Sequence, residues 1–345
     1  MLPLREIRRV LVFRALMLGD WLCATPALRA LRAAMPHAHL VVCGLEGSAE
    51  LARRLPGVDE FVPFPGHPAL PEKRPAPGDL GRFIQRMRRY RFDLVLQMHG
   101  SGDIVNALLA QLGARAVAGF ALPGTERGLD LAVPWPHRGA EPERCLALTD
   151  ALGASRDGLQ LDFPLFDADR DAAARLRVEA GIYGRYALLH PGSQLPSRRW
   201  WPERFALVAD ALASRGVTVI ITGSTAETPL AIAVRAASRH PLIDLTGRTP
   251  SLWSLGALVE SAALVVTNDT GISHVAAALH TPSVVVASGS DVSRWAPLNR
   301  ELHRVHWHET ECRPCAHAVC PTAHECAAGV APPAVVATAL ALLGD

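Results

Sequence analysis

The stretch 264–287, LVVTNDTGISHVAAALHTPSVVVA, carries the residues best suited to hold an anion. Leu264 to Thr267 is an apolar, β-branched run that reads as a buried strand. Asn268-Asp269-Thr270-Gly271 supplies turn and N-cap residues, and Ile272, Val275, Ala276 and Leu279 then recur at helical spacing. Pro282 ends that helix, and Ser283 to Ala287 is a second strand. The result is a βαβ unit with a right-handed connection. Its turn joins the carboxyl end of a strand to the amino end of a helix, where free N–H groups and the helix dipole favour a diphosphate. Gly271 permits close approach to the backbone, and His274, one turn on, can reach the same spot. The same residues also fit an ordinary turn in which Asp269 and Thr270 only cap the helix.

A second set lies near the carboxyl end. Cys312-x2-Cys315-x4-Cys320-x5-Cys326 has one spacing typical of thiolate metal sites, with His317 and His324 nearby. Four thiolates suit zinc or iron. The alternative is reduced cysteines packed in a small proline-rich loop, because the spacings are looser than in a paired CxxC knuckle.

Strand and helix patterns alternate along the whole chain. RRVLVFR at 8–14 is a short strand, 15–20 a loop ending in Gly19-Asp20, and Trp21 to Ala34 a helix with Pro26 near its first turn. Strands follow at 39–43, 58–64, 92–97 and 115–120, helices at 46–55, 104–112 and 143–152, and 121–143 reads as loop. After a linker at 153–168, helix 169–180, strand 186–190, helix 203–215, strand 217–222, strand 242–245 and helix 251–262 lead into the unit above. This is the pattern of two doubly wound parallel sheets, an α/β chain with a deep cleft as the natural site for chemistry. Parallel strands present their carboxyl ends together, so Asp20 and His99 share one rim.

Composition narrows the class. The 345 residues are enough for two domains, and 49% hydrophobic with 20% charged content is globular. A formal net charge of +2 carries no nucleic-acid signature. No run approaches the ~20 apolar residues that span a bilayer, and Arg14 and Asp20 interrupt any signal-peptide core, so a cytoplasmic protein is expected. Of seven cysteines, four crowd into 312–326, which is not a secreted disulfide framework. No GxGxxG follows a strand, which disfavours a dinucleotide dehydrogenase.

Five segments taken together resemble the bacterial heptosyltransferases of glycosyltransferase family 9: RALMLGDWLCATPALRALR at 14–32, HPGSQLPSRRWWPERF at 190–205, TGSTAE at 222–227, LTGRTPSL at 245–252 and NDTGISHVAAALHTPSV at 268–284. The tail ECRPCAHAVCPTAHEC at 311–326 adds to the match. The resemblance implies a GT-B fold, two Rossmann-like domains facing across a cleft. Domains are expected at 1–166 (acceptor and catalytic base) and 167–330 (nucleotide sugar), with a terminal segment 331–345 whose helix, 332–343, returns to the first domain. It also implies inverting transfer of a heptose from ADP-heptose to the inner core of lipopolysaccharide. The protein would then be cytoplasmic, with a peripheral contact at the cytoplasmic face of the inner membrane, and would need no cofactor for catalysis.

The resemblance also assigns roles. Asp20 aligns with the family's catalytic base, which takes a proton from the acceptor hydroxyl. Beside a helix amino end its carboxylate stays ionised. The competing role for Asp20 is a cap on the helix starting at Trp21. Arg199 falls at the family's basic residue before the Trp-Pro pair and would stabilise the leaving ADP, unless it is a solvated arginine beside Arg198. Ser193, Gln194, Asp269, Thr270, Gly271 and His274 would hold phosphate and sugar. Glu227 would bind ribose hydroxyls, or serve only as a helix-start glutamate.

On the acceptor side, His99, Arg86 and Arg89 are candidates, the arginines belonging to a run at 82–91 that equally fits a solvated helix face. Relatives often carry a basic residue near Asp103, which leaves the acceptor open. Some protein-modifying relatives hold iron through cysteines at this end, so structural zinc or iron at Cys312, Cys315, Cys320 and Cys326 is a candidate. Two other functions are kept: the same donor chemistry on a protein or small-metabolite acceptor, and a non-catalytic nucleotide-sugar-binding scaffold.

Overall fold

A computed structural model of the protein describes residues 3–315 and 317–344. The chain divides into two compact units, Met1–Pro164 and Leu165–Asp345. In the first, β1 (Arg9–Phe13), β2 (His39–Gly44), β3 (Glu60–Pro63), β4 (Leu94–Gln97), β5 (Ala116–Ala121) and β6 (Leu131–Pro134) form one parallel sheet in the order β3-β2-β1-β4-β5-β6. Helices α1 (Leu18–Ala34), α2 (Ala49–Arg54), α3 (Asp79–Arg88), α4 (Asp103–Leu109) and α5 (Glu141–Ala151) complete it. The β1 run Val10–Phe13 is fully buried because helices cover both faces of the sheet.

The second unit repeats the plan. Its helix α6 (Asp167–Glu179) precedes β7 (Tyr186–His190), α7 (Pro202–Ala213), β8 (Thr218–Ile221), α8 (Thr228–Ala237), β9 (Ile243–Asp244), α9 (Leu252–Glu260), β10 (Leu264–Asn268), α10 (Gly271–Ala278), β11 (Ser283–Val286), α11 (Val292–Trp295), β12 (His303–His306), α12 (Glu325–Ala328) and α13 (Pro332–Leu343). The sheet order is β12-β11-β10-β7-β8-β9. Counted from each unit's first strand, both sheets read 3-2-1-4-5-6, the doubly wound Rossmann order. Each sheet therefore reverses direction at one place: between β1 and β4, and between β7 and β10. Ligands bind such folds in the crevice beyond the strand ends at that reversal.

Three features differ from the sequence expectation. Helix α1 begins at Leu18 with Met17 as N-cap, so Asp20 lies inside the first turn and is not the cap. Two edge strands, β6 and β12, run through stretches that carry no strand signal, LAVP and HRVH. They are half exposed, and half-exposed edges need little apolar sequence. Residues 157–162 of the linker are strapped to α1: Arg29 bonds the carbonyls of Asp157 and Gln160 and the Asp162 carboxylate, and Thr25 Oγ1 accepts from Asp162 N–H. The terminal helix α13 belongs to the second unit. Val335, Ala339 and Leu343 are buried in the second unit's core with α7 residues Phe205, Ala209 and Leu212, because that unit leaves an apolar groove beside β11 for so hydrophobic a helix.

Candidate functional site

At the reversal of the first sheet, Asp20 and His99 come together. Asp20 is 21% exposed and sits in the first turn of α1, where the helix dipole favours a carboxylate. Arg14, the residue after β1, is 2% exposed and spends its fork on three segments. Its Nε donates to the Asp20 carbonyl at 2.8 Å, Nη1 to the Met98 carbonyl at 2.6 Å and Nη2 to Glu141 Oε1 at 2.9 Å. The same Nη2 stands 3.8 Å from Asp20 Oδ1. Burial opposes the Arg14 charge, but Cys145, Glu141 and Asp20 outweigh it, and the arginine pKa is raised. His99 is buried, and its Nδ1 accepts the Ala15 N–H at 3.2 Å, which puts the ring proton on Nε2, 3.5 Å from Glu72 Oε1. Burial, aided by Arg14, pushes His99 down to about 4, so it is neutral at physiological pH.

Arg86 and Arg89 do not join them. Helix α3 runs back against the strand direction, so its end lies at the amino edge of the sheet. Arg89 lines a hollow there with Arg9 and His39, the first residues of β1 and β2, and Arg86 faces Glu60 and Tyr90. Both arginines are exposed while Phe83 and Met87 are buried, a solvated amphipathic face.

At the reversal of the second sheet the donor candidates gather. Asn268, the last residue of β10, is 0% exposed and ties together the two ends of the loop that follows β7. Its Nδ2 donates to the carbonyls of Pro191 at 2.7 Å and Gly192 at 3.3 Å, and its Oδ1 accepts the Trp200 N–H at 2.9 Å. That knot sets the two ends of the 193–199 loop. Within it Ser193 is buried, Gln194 exposed, and Arg199 Nε donates to the Ser193 carbonyl at 2.9 Å. Among the described residues the Nη groups of Arg199 carry no hydrogen bond. Arg198 turns the other way and donates to the Cys315 carbonyl at 2.6 Å, so neither is a merely solvated arginine.

Thr270 is the N-cap of α10 by backbone geometry, and its side chain makes no capping bond. Neither Asp269 nor Thr270 thus consumes the helix amino end through a side-chain cap, which leaves that end suited to an anion. Asp269 and Thr270 are half-buried, and Gly271 starts the helix. His274 is buried, with its ring edge-to-face on Trp295 at 6.3 Å between centroids.

Glu227 is a cap: its Oε2 accepts from the Ser224 N–H at 2.7 Å and from Ser224 Oγ at 2.8 Å. The carboxylate also lies over Gly192, where a Cβ would stand 1.8 Å from Glu227 Oε1. A side chain at Gly192 would displace the carboxylate, so the glycine lets the glutamate lie against the β7 loop. Burial lowers the pKa of His190, the last residue of β7, while Glu227 acts in the opposite direction.

The four tail cysteines line one cavity of about 30 Å³ with His317 and His324. All are free thiols. Thr322 Oγ1 lies 3.5 Å from Cys320 Sγ, and this contact with the Thr322 and His324 backbone N–H groups lowers the Cys320 pKa, whereas burial raises that of Cys326. The loop is pinned to the 197–198 segment by Ser197 Oγ to the His317 carbonyl at 2.5 Å, Ser197 N–H to the Ala318 carbonyl at 3.1 Å and the Arg198 bond to Cys315.

The family model of glycosyltransferase family 9 (heptosyltransferase) matches residues 80–325. The chain belongs to glycosyltransferase family 9. It is 28% identical to lipopolysaccharide heptosyltransferase 2 of Escherichia coli (strain K12) over 85% of this chain and 86% of that one. Its fold matches a family 9 glycosyltransferase of Veillonella parvula DSM 2008 with a TM-score of 0.81 at 20% identity, covering 99% of this chain and 98% of that chain. It also matches TibC of enterotoxigenic E. coli H10407, described as a dodecameric iron-containing heptosyltransferase in complex with ADP-D-beta-D-heptose, with a TM-score of 0.59 at 15% identity over 99% and 77% of the two chains.

The fold of this glycosyltransferase is therefore GT-B. Among its described residues no three His, Cys, Asp or Glu side chains form a set able to hold a metal ion. The four cysteines nevertheless share one small cavity with His317 and His324, and backbone carbonyls of this segment are tied to Ser197 and Arg198. Also among the described residues, no helix is long and apolar enough to cross a membrane. Sequence reasoning missed Arg14, Glu141 and Asn268. Asn268 was visible only as a turn residue, and the Arg14–Glu141 pair spans 127 positions, which no local pattern reveals.

Proposed function

We propose that this glycosyltransferase inverts the anomeric centre of ADP-heptose as it transfers the heptose to a hydroxyl of the lipopolysaccharide inner core. The observation that carries this is the carboxylate of Asp20, kept at the first sheet's reversal by a buried arginine. Asp20 takes the proton from the acceptor hydroxyl. The leaving ADP gains negative charge as the sugar bond breaks. Arg199, through its Nη groups, and the amino end of α10 with Thr270 and Gly271 stabilise that charge. Ser193, Gln194, Asp269 and His274 surround phosphate and sugar, and Glu227 receives the ribose hydroxyls. His99, neutral and beside the Asp20 loop, contacts the acceptor.

The donor assignment draws support from the ADP-heptose bound to TibC, and the acceptor class from the E. coli relative's name. The exposed arginines of α3 supply a peripheral contact with anionic lipid. The test has two parts. ADP should raise the melting temperature more than UDP, GDP or NAD, and ADP-heptose should be consumed only when a heptose-accepting core oligosaccharide is present. A chain that responds to no nucleotide is a scaffold. A chain that prefers a protein or small-metabolite acceptor keeps the donor chemistry and loses the acceptor assignment.

A further inference from the structure

Glu141 opens α5 and is 2% exposed, in a place where a lone carboxylate would be expensive. Its partner Arg14 is equally buried and faces two carboxylates unequally: 2.9 Å to Glu141 and 3.8 Å to Asp20. A guanidinium has a rigid planar fork, so the direction of one bond constrains the others. Here the bond to Glu141 sets the plane, and Nε then falls on the Asp20 carbonyl while Nη1 falls on Met98. The Asp20 main chain is gripped, while its carboxylate stands farther from this guanidinium than the Glu141 carboxylate does.

The asymmetry has a chemical consequence. A carboxylate that owns an arginine outright is stabilised in its ionised form and is a poor proton acceptor. Resting on the assignment of Asp20 as the base, we infer that Glu141 is a positioning residue: it engages the Arg14 charge so that Arg14 orients Asp20 without quenching its basicity.

The other titratable groups around the cluster are Cys23, Cys145, His99 and, behind His99, Glu72, whose Oε1 lies 3.5 Å from the His99 Nε2. Cys23, one turn along α1, is a thiol that burial keeps protonated. Cys145 on α5 contributes to the field at Arg14, and His99 beyond β4 is neutral above about pH 4. Among these neighbours Glu141 is therefore the partner whose neutralisation returns the Arg14 charge to Asp20 alone.

The test compares Glu141→Gln with Glu141→Asp and with Asp20→Ala, measuring kcat, the KM for ADP-heptose, the pH profile of kcat and the melting temperature. Glu141→Gln keeps an acceptor oxygen for Arg14 but removes the charge. Its acid limb should move down by about one pH unit, as an undivided opposite charge commands. With a weaker base, kcat should fall about three- to tenfold, while the donor KM, set by the second unit's residues, stays within twofold. Glu141→Asp keeps the charge and should leave the acid limb in place. In an Asp20→Ala background, Glu141→Gln should cost nothing further, because it acts through the missing carboxylate.

An unmoved acid limb in Glu141→Gln, or an equal movement in Glu141→Asp, overturns the inference while leaving Asp20 as the base. An additive loss in the double variant also overturns it, since the role is then structural. If Glu141→Gln does not fold, a shifted limb in Glu141→Asp alone is enough to overturn it. Retained turnover in Asp20→Ala instead removes the underlying assignment of the base.

Discussion

The two sheets share one strand order, yet their reversal points are built from different materials. The first is a charged network: Arg14 shared between the Glu141 and Asp20 carboxylates while also bonding the main-chain carbonyls of Asp20 and Met98. The second is held by a neutral amide, Asn268, and by backbone, with Arg199 as its forward-placed cation. The difference matches the role proposed for each. A proton acceptor needs a carboxylate whose counter-charge is mostly spent elsewhere, and that takes a third charged group. A diphosphate cradle needs positive potential with no buried anion competing for it, and a neutral amide can tie the loops without adding one.

The contrast breaks most sharply at the acid. Asp20→Ala should lower kcat about 10²- to 10⁴-fold, the usual worth of a positioned base, with an unchanged melting temperature, because Met17 rather than Asp20 occupies the N-cap. A loss of stability with retained turnover would show a structural residue instead. Arg199→Ala should lower kcat about 10²- to 10³-fold, as for removal of one donor to a developing anion. Arg199→Lys should restore part of that, since charge survives but the fork does not. Equal rates for Ala and Lys would show that the charge is not used.

Asn268→Ala tests the neutral knot. It leaves the Trp200 N–H and two carbonyls without their partner, and chemical denaturation should register a loss of roughly 2–4 kcal/mol. Asn268→Asp should be nearly as harmful, because it turns two donated bonds into repulsion beside the cradle. A silent substitution here would mean that the loops hold their own shape.

Acid pH offers a gentler probe. His99 in the first unit and His303 in the second both fall from the ordinary 6.5 to about 4 through burial. Each is neutral when folded and binds a proton on unfolding below about pH 6.5, so its contribution is complete above that pH and is lost as pH falls toward 4. The unfolding free energy from urea titrations should decline by a few kcal/mol between pH 7 and 4.5, on the order of 1.4 kcal/mol per pH unit for each histidine. His99→Gln should remove about half of the histidine share; an unchanged slope would mean that His99 is accessible to protons when folded. Smallest of all, Arg86→Ala with Arg89→Ala should leave the acceptor KM within twofold, because both residues sit at the opposite edge from Asp20. A large KM increase would return them to the site.

Much of the second unit's cradle is legible in the sequence because it is local. NDTG joins a strand to a helix within a few residues, and HPGS with the Arg199 segment follows β7 directly. The first unit's network is not legible in the same way. Asp20 is visible as a strand-end carboxylate, but Glu141 looks like one of several acids at the start of an ordinary helix. Only folding brings it within 2.9 Å of Arg14. Helix α13 is legible as an apolar helix, but an apolar helix at a chain end does not say which residues it packs on, here Phe205, Ala209 and Leu212. The edge strands β6 and β12 were missed because they are half exposed. The tail cysteines read as a metal site from spacing, and folding does bring all four to one small cavity, but the bonds that pin this segment to Ser197 and Arg198 run to backbone carbonyls, which spacing does not announce.

The central claim is that the β7–β10 reversal holds the diphosphate. A crystal structure of the protein soaked with ADP tests it directly. The account predicts phosphate oxygens at the amino end of α10 and on the Nη groups of Arg199, with the ribose at Glu227. ADP seated instead in the hollow of about 470 Å³ formed by Arg300, Trp307, Glu309 and Arg313 would contradict it.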